Sequence, residues 1–400
     1  MRFGGYGANH FGGYHDYLVP AIQYMGPGAV NKVGELASMF GAKKVMIVCD
    51  SFMKSLKGGA ADIVEGLLKK EGIDVCFYDK VEPNPKEYNV IDAKKQYLAE
   101  KADFLISIGG GSSHDCTKGI GIAVANNLEH GDDLQKFAGI ELLDKPILPF
   151  IAVNTTAGTG SEVTRHCVIT SVEKKLKYVI VSWRNLPLAA INDSDLMIGK
   201  PQGLTAATGM DALTHAYECY VSINANPVTD AASIQGIKLV AEWLRKAVAL
   251  GVNREARENM CYASLLAGMA FSNGDLGYVH AMAHQLGGYY DMPHGVANAM
   301  LLPTVEKWNM PSNPQRFADT ATFMGEVVTG LSVLEQADKA ITAIERLSKD
   351  VGIPVGLATQ GIEESMLPTM AESALKDGNA GSNPRVGKQK DIEALFKAAF

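Results

Sequence analysis

The stretch DFLISIGGGSSHDCTKG, residues 103–119, joins a mostly apolar run to consecutive glycines and then to small polar residues. The apolar run is typical of a buried strand, and the residues after the glycines are typical of the start of a helix. Glycines at such a junction let the backbone approach an anion, to which the helix N-terminus offers free N–H groups. The stretch therefore predicts a strand, a phosphate-binding turn and a helix.

This turn matches neither the G-x-G-x-x-G pattern nor the phosphate loop of nucleoside triphosphatases. A tight strand-to-helix turn, with Ser112 and Asp115 forming a helix cap, is the alternative interpretation. A second loop, TTAGTGSE (155–162), follows another predicted strand and contains similar small residues. Because ligands of open α/β sheets bind where the strands end, the two loops together favour a pyrophosphate site.

Other buried strands are predicted at KKVMIVCD (43–50), DVCFYD (74–79) and LPFIAVN (148–154), and helical stretches alternate with them. This alternation predicts a mostly parallel sheet with helices on both faces. Asp50 ends the first of these strands, where an acid accepts hydrogen bonds from the adenosine ribose and disfavours a 2′-phosphate. Asp50 thus favours NAD over NADP. Capping of the next segment is the alternative, because the acid usually follows the glycine loop.

After about residue 200 the sequence changes to long segments rich in Ala, Leu and Met, with an apolar period near that of a helix. We expect an α/β dinucleotide-binding domain over residues 1–198, with an N-terminal arm at 1–19, and an all-helical domain over 199–400. The helices are expected near 205–223, 228–250, 254–272, 275–289, 333–351 and 389–399.

The helical half carries two motifs, TGMDALTHAYE and GYVHAMAHQLGGYYDMPHG. Asp211 and His215 are four residues apart, as are His280 and His284, so each pair shares one face of a helix. A single histidine on an apolar helix is more often a core residue, but these are clustered. The residues of the motifs that form a donor set suited to Fe(II) or Zn(II) are Asp211, His215, His280 and His294. No fifth strong protein ligand is evident, so one coordination position stays open for a substrate.

Composition excludes several other classes of protein. A formal net charge of −7 and the lack of a basic run argue against a nucleic-acid partner. No apolar run reaches the roughly 18 residues of a membrane span, and the N-terminus lacks the apolar core of a signal peptide. The six scattered cysteines favour reduced thiols in a cytosolic protein. For His10 and His15, an oligomer-contacting or loosely ordered arm is favoured over a metal site.

In this order, GGGSSHDCTKG, TTAGTGSEVT, GMDALTHAYE, HAMAHQLGGYYDMPHG and SNPR resemble the motifs of iron-containing (group III) alcohol dehydrogenases. The resemblance runs from about residue 20 to the end, and VEPNPKEYNV is similar to the short-chain branch that includes bacterial methanol dehydrogenases. It implies NAD-dependent oxidation of small primary alcohols, or reduction of the aldehydes, in a cleft between the two domains. It also implies a cytoplasmic homo-oligomer, from a dimer up to a decamer.

The resemblance assigns roles by motif position. It makes Asp211, His215, His280 and His294 the metal ligands, and it places His284 by the nicotinamide as a proton relay. The residues that it places at the cofactor are Asp50, Asn84, Gly110, Gly111, Ser112, Asp115, Thr155, Thr156, Thr159 and Lys177. Phe271 and Leu196 fall near segments that touch the nicotinamide or the substrate. His166 departs from the family, which often has Asn there.

Two other functions stay open on the sequence alone. A metal-dependent lyase or cyclase of the dehydroquinate-synthase type uses NAD only transiently, but it should surround its metal with several Lys and Arg. The segment 265–294 contains neither. A non-catalytic NAD- or metal-binding assembly protein is the second alternative. Phe271 and Tyr278 are expected to form an apolar pocket wall that favours small alcohols such as methanol, ethanol or propanediol.

Overall fold

The computed structural model describes residues 15–400, which form two compact units. The α/β unit comprises residues 18–156 and 160–198. The helical unit comprises residues 15–17, 157–159 and 199–400. His10 and most of the predicted N-terminal arm lie outside the described residues. Within residues 15–400, no helix combines the length and the apolar character that crossing a membrane requires.

The α/β unit is built on a parallel sheet. Its strands are β1 (Ile22–Met25), β2 (Lys44–Val48), β3 (Asp74–Tyr78), β4 (Phe104–Gly109), β5 (Gly139–Ile140), β6 (Phe150–Asn154), β7 (His166–Ser171), β8 (Leu176–Val181) and β9 (Ala189–Asn192). The larger sheet has the order β1-β9-β6-β4-β2-β3, and each neighbouring pair in it is parallel. The central strands β4 and β6 are buried along their whole length, as expected where helices cover both faces. The predicted parallel sheet is confirmed.

The order of these strands places a ligand-binding edge beside β2. From β2 the chain runs to β3 on one side, and the next connection carries it to β4 on the other side. Ligands of open α/β sheets bind outside the carboxyl ends of the strands where the connections diverge. The carboxyl ends of β2 and β4, which lead to Asp50 and to the glycine turn, are neighbours at this point.

Helices and a smaller sheet complete the α/β unit. The helices are α1 (Val33–Met39), α2 (Ser51–Ser55), α3 (Ala60–Lys70), α4 (Glu87–Glu100) and α5 (Gly111–Ala125). The smaller sheet has the order β5-β8-β7, and β7 and β8 form an antiparallel hairpin that the sequence analysis did not predict. Lys175 in its turn has a φ of +50°, a left-handed conformation that Gly or Asn usually marks in a sequence.

The helical unit contains each of the helical segments predicted from the sequence, together with three that were not. Its helices are α6 (Gln202–Val221), α7 (Pro227–Ala249), α8 (Arg254–Gly274), α9 (Tyr278–Tyr290), α10 (His294–Asn309), α11 (Pro314–Phe323), α12 (Val333–Asp350), α13 (Leu367–Lys376) and α14 (Gln389–Ala398). The unpredicted helices are α10, α11 and α13, and Pro303 lies inside α10. Buried aliphatic side chains from most of these helices form one apolar core.

Helix α10 approaches α6 closely at Gly295. A Cβ added to Gly295 would lie 2.3 Å from the carbonyl oxygen of Ala207 and 3.3 Å from Cβ of Asp211. A real side chain would therefore push the two helices apart. Since His294 begins α10 and Asp211 lies on α6, this contact sets the distance between two of the predicted metal ligands.

We expect Gly295→Ala to destabilise the protein and to weaken its binding of a divalent cation, because the added methyl group meets backbone that cannot rotate away. Overpacking of this kind costs about 1–3 kcal/mol. Chemical denaturation measures the first effect, and competition with a chelator measures the second. Gly203→Ala in α6 is the matched control, since its Cβ would meet no atom within 4 Å. Equal behaviour of the two variants would contradict the close approach.

Candidate active site

Four side chains from three helices converge within the helical unit. Asp211 and His215 lie one turn apart on α6, His280 lies in the first turn of α9, and His294 begins α10. One donor atom of each residue lies within 4.8 Å of the donor atoms of the other three. Asp211, His215 and His280 are buried, and His294 is partly exposed. The structure thus brings together the residues that the sequence analysis predicted as metal ligands.

His215 is in the protonation state that coordination requires. Burial lowers its pKa to about 3, so the imidazole is neutral near pH 7 and carries a lone pair. Phe271, the predicted substrate contact, stacks on this ring with 4.3 Å between the centroids and 15° between the planes. Phe271 therefore lies against a candidate ligand and restrains the plane of its imidazole.

His280 is held from behind by Glu218. Its Nδ1 lies 2.5 Å from Glu218 Oε2, and the other carboxylate oxygen accepts a hydrogen bond from the Val279 backbone N–H at 2.7 Å. Burial raises the pKa of Glu218, and hydrogen bonds from the backbone N–H groups of Val279, His280 and Gly277 oppose this shift. A carboxylate bonded to one imidazole nitrogen orients the ring and presents the other nitrogen to a cation.

Asn298 marks the point at which the donors meet. It follows His294 by one turn on α10 and is fully buried. Its amide nitrogen donates to Asp211 Oδ1 at 2.7 Å and lies 3.0 and 3.1 Å from Nε2 of His280 and His294. The carboxylate and the two Nε2 atoms therefore face one small volume, and Asn298 orients the carboxylate of Asp211.

This donor set fits a divalent cation. One carboxylate oxygen and three imidazole nitrogens suit Fe(II) or Zn(II), and their mutual distances allow a single ion to reach all of them. Glu218 accepts a hydrogen bond from His280 and Asn298 donates one to Asp211, and ligating residues usually have such supporting partners. Burial keeps competing water away from most of the donor atoms.

His284 lies one turn beyond His280 on α9 and faces the same group of rings. Its ring stacks against His294 with 5.7 Å between the centroids and meets His280 edge-on at 6.3 Å. Its Nδ1 lies 2.8 Å from Oδ2 of Asp377. His284 is thus beside the candidate metal ligands without being one of the converging donors, as the predicted proton relay requires.

The predicted glycine turn forms at the end of β4. A Cβ at Gly110 would lie 2.6 Å from Oγ1 of Thr156, so the two loops pass too close for a side chain. The Thr155 N–H donates to the carbonyl of Gly109 at 2.8 Å. Helix α5 begins at Gly111, and its N-cap Gly110 has no side chain to bond the first N–H groups. These features fit a phosphate at the helix N-terminus.

Asp50 caps the helix that follows β2, as the alternative interpretation held. Its Oδ1 accepts a hydrogen bond from the Met53 N–H at 2.7 Å. Capping engages one oxygen of the carboxylate, and Asp50 still lies at the carboxyl edge of the sheet, next to the end of β4. The acid and the glycine turn are therefore neighbours in space although about 60 residues separate them in the sequence.

Asn84 and Lys177, predicted as cofactor contacts from distant motifs, meet in the structure. Lys177 Nζ donates to Asn84 Oδ1 at 2.6 Å. Asn84 has a φ of +52°, which fits its place in the turn that follows β3. The residues predicted at the cofactor that follow strands of the larger sheet are Asp50, Asn84, Gly110, Gly111, Ser112, Thr155 and Thr156, whereas Lys177 lies in β8 of the smaller sheet. Their contact with a cofactor stays a prediction.

The carboxylate of Asp115 forms hydrogen bonds inside the α/β unit. Its carboxylate accepts hydrogen bonds from Ser161 Oγ at 2.6 Å and from the Val168 N–H at 3.2 Å. The interpretation of Ser112 and Asp115 as a helix cap was wrong, since the N-cap residue is Gly110 and no side chain caps α5. Both oxygens of Asp115 accept hydrogen bonds within the unit, so it supports the loop after β6, and its contact with a cofactor stays a prediction.

Lys118 completes this support. Its side chain is fully buried, and its Nζ lies 3.5 Å from Asp115. Burial raises the pKa of Asp115 and lowers that of Lys118, while their mutual attraction opposes both shifts. The Lys118 ammonium donates to backbone and side-chain oxygens of Ser161, Thr164 and His166. The buried ammonium of Lys118 therefore holds the segment between Ser161 and His166 in place through these hydrogen bonds.

The remaining predicted residues are dispersed. Thr159 belongs to the helical unit, and Leu196 packs against an apolar cluster of the α/β unit. His166 lies in β7 and gives its carbonyl oxygen to Lys118. Tyr278 was expected in the pocket wall, but its ring packs on Trp308 and its hydroxyl accepts from the Gly387 N–H. Tyr278 is therefore a core residue.

Sequence reasoning missed the supporting residues. Glu218 lies seven residues after Asp211, and this spacing places it on the same helix face. Asn298 follows His294 by four residues, so the same spacing rule points to it. Asp377 gave no local signal, because its partner His284 is distant in the sequence. Lys118 follows Asp115 by three residues on α5, but its other partners lie in an irregular loop.

Comparison with known proteins identifies the family of the chain. Residues 20–194 match the family model "Iron-containing alcohol dehydrogenase", and residues 205–400 match "Fe-containing alcohol dehydrogenase family, C-terminal". The chain is 59% identical over 385 residues to a 1,3-propanediol dehydrogenase of Klebsiella pneumoniae, covering 96% of this chain and 98% of that protein. It is 43% identical to an NAD-dependent methanol dehydrogenase of Bacillus methanolicus, covering 96% and 100%.

A solved structure gives the same result. The crystal structure of a 1,3-propanediol oxidoreductase superposes with a TM-score of 0.93 at 58% identity, covering 97% of this chain and all of that one. The fold and the candidate site thus define a class of protein in which a parallel-sheet unit suited to a nucleotide is combined with a helical unit suited to a metal ion. The chain belongs to the iron-containing alcohol dehydrogenase family. The resemblance seen in the motifs is confirmed, and an alcohol dehydrogenase is favoured over a lyase.

We expect Glu218→Gln to lower the affinity for a divalent cation by about 10–100-fold. The Val279 N–H keeps the amide oxygen of the new side chain in place, so the amide nitrogen faces His280 Nδ1 and donates to it. The ring proton then moves to Nε2, which can no longer coordinate. Competition with a chelator measures the affinity. Glu372→Gln on the surface of α13 is the control, and an unchanged affinity in Glu218→Gln would refute this arrangement.

We expect Lys118→Met to lower the free energy of unfolding by about 3–5 kcal/mol, since it leaves the buried Asp115 without its cation. The loop after β6 should lose its fixed conformation, so the affinity for NAD should fall as well. Isothermal titration calorimetry measures this affinity. Lys136→Met is the control, because Lys136 forms only an exposed ion pair with Asp133. Full stability and full NAD affinity in Lys118→Met would show that the buried ammonium does not hold the loop.

Proposed function

We propose that this protein catalyses the NAD-dependent and divalent-metal-dependent oxidation of small primary alcohols, and the reverse reduction of the aldehydes. The observation that carries the proposal is the convergence of Asp211, His215, His280 and His294 within 4.8 Å in a member of the iron-containing alcohol dehydrogenase family. His284 and Phe271 lie beside these ligands, where a substrate that reaches the metal would meet them.

Asp211, His215, His280 and His294 would hold Fe(II), or Zn(II) in its place. When bound, such a cation would supply polarisation of the alcohol or aldehyde oxygen, and NAD would supply the hydride acceptor or donor. The protein orients the ligands through Glu218 and Asn298 and keeps the imidazole of His215 neutral by burial. His284 would take the hydroxyl proton during oxidation and return it during reduction.

NAD would lie along the carboxyl edge of the sheet in the α/β unit. The glycine turn and the first turn of α5 would bind the pyrophosphate, and Asp50 would accept hydrogen bonds from the adenosine ribose. A 2′-phosphate would meet the negative charge of Asp50, which favours NAD over NADP. An NAD-dependent relative in the same family supports this choice of cofactor.

The substrate would be a short alcohol. Phe271 packs its ring on His215 and is buried, so it would limit the room at the metal on that side. The relatives named above are dehydrogenases of 1,3-propanediol and of methanol, both of which are small primary alcohols. A three-carbon diol is the first choice because the propanediol dehydrogenase shares 59% of its residues with this chain.

We further propose a cytoplasmic homo-oligomer, from a dimer up to a decamer. Six cysteines that are all buried suit a reducing compartment, and no disulfide framework is needed for a chain of this size. Size-exclusion chromatography with light scattering would determine the number of subunits.

The first test follows NADH absorbance while small alcohols are offered to the protein, with 1,3-propanediol, methanol and ethanol as the principal members of the panel. The protein is stripped with a chelator and then reloaded separately with Fe(II) and Zn(II). We expect no NAD reduction by the stripped protein and recovery with one metal, because the cation supplies the polarisation that the side chains lack.

Asp211→Asn should abolish the recovered activity while leaving the circular dichroism spectrum unchanged. Asp338→Asn is the matched control, because the Asp338 carboxylate is exposed on α12 of the same unit. Full activity in Asp211→Asn would show that the reaction does not depend on a metal ion bound by Asp211. Folded, metal-loaded wild-type protein that reduces neither NAD nor NADP with any alcohol would refute the proposed function.

A further inference from the structure

Two histidines of α9, His280 and His284, each have a carboxylate at Nδ1, although only His280 is a candidate metal ligand. His280 has its Nδ1 held by the buried carboxylate of Glu218. His284, one turn later, has its Nδ1 held by Asp377, which is 93 residues away in the sequence. Since His284 is not among the converging donors, the carboxylate behind it requires a different explanation.

The Asp377 carboxylate is itself held in place. Asp377 lies where α13 ends and the short helix Gly378–Ser382 begins. Its Oδ1 accepts from both the backbone N–H and the side-chain amide of Asn379, at 2.9 and 3.0 Å. Its Oδ2 faces His284 Nδ1 at 2.8 Å, and both side chains are about 95% buried. Each oxygen of Asp377 therefore has one fixed task.

This geometry selects one tautomer of His284. A neutral imidazole donates through one nitrogen and accepts through the other, and Nδ1 must donate because an ionised carboxylate can only accept. The lone pair is consequently on Nε2. The neighbouring rings of His294 and His280 restrain the ring plane, with angles of 28° and 85° between the planes. Tautomer and orientation are both determined by the protein.

We propose that Asp377 is a positioning residue for the reaction, and that it holds His284 with Nε2 as the hydrogen-bond acceptor for the hydroxyl of the substrate. The inference rests on the proposed dehydrogenase function, in which that hydroxyl loses its proton as the hydride leaves the carbon. The bond between Asp377 and His284 also joins α9 to the end of α13, so the test must separate chemistry from a structural tie.

Asp377→Asn makes this separation because it changes the tautomer and keeps the shape. The two donors of Asn379 bind the amide oxygen in the position of Oδ1, so the new amide nitrogen takes the position of Oδ2. That nitrogen donates to His284 Nδ1 at the same distance. The ring proton then moves to Nε2, which becomes a donor in place of an acceptor.

We expect Asp377→Asn to lower kcat for alcohol oxidation by about 10²–10⁴-fold, while KM for NAD, metal content and the melting temperature stay close to those of the wild type. Nitrogen NMR of protein labelled at histidine and loaded with Zn(II) should show Nδ1–H for His284 in the wild type and Nε2–H in the variant. His284→Asn assigns the signal. Asp338→Asn, the exposed control, should change neither kcat nor the spectrum.

Retention of wild-type kcat by Asp377→Asn, with the tautomer inverted, would overturn the proposal and leave only a structural tie. An unchanged tautomer in the variant would overturn it equally. Failure of the proposed function is a separate result, seen as a lack of alcohol oxidation by the wild type itself. In that case, inversion of the tautomer by Asp377→Asn would still support the role of Asp377 in fixing His284.

Discussion

The close approach of α6 and α10 is the constraint on which the candidate metal site depends. Asp211 and His215 come from α6, and His294 and Asn298 come from α10, so the helix separation sets every distance between these two pairs. Only a residue without a side chain allows the backbone of α10 to reach the carbonyl of Ala207, and Gly295 provides it. The sequence motifs determine which donor atoms are present. This packing contact brings them close enough together to bind a single ion.

Much of this architecture could be predicted from the sequence, because its signals are local. The strand before GGGS, the helices with a regular apolar period and the four candidate ligands each follow from local sequence patterns. The β7–β8 hairpin was missed because Lys175 adopts a left-handed conformation that Gly or Asn usually indicates. Helix α10 was missed because Pro303 interrupts the helical pattern. Asp377 could not be found, since its partner is brought near only by the folded helical unit.

The strand order resolves a difficulty that the sequence posed. An acid that precedes the glycine loop by about 60 residues does not follow the common dinucleotide-binding pattern. In the sheet, however, β2 and β4 are neighbours, so the residues that follow them share one edge. Adjacency in a parallel sheet depends on the order of strands in space and not on their order in the chain. The sequence supplied the two parts of this edge, and the topology determines that they meet.

The division of the chain into units has a consequence for the engineering of this family. Residues 157–159 belong to the helical unit although the chain on either side of them belongs to the α/β unit, and a Cβ at Gly158 would lie 2.7 Å from Thr208. The covalent boundary is therefore not a single junction near residue 199. A chimaera that exchanges only residues 199–400 between two relatives would leave these three residues from the wrong parent, with Gly158 packed against α6. Recombination of cofactor and substrate specificities should carry this short segment together with the helical half.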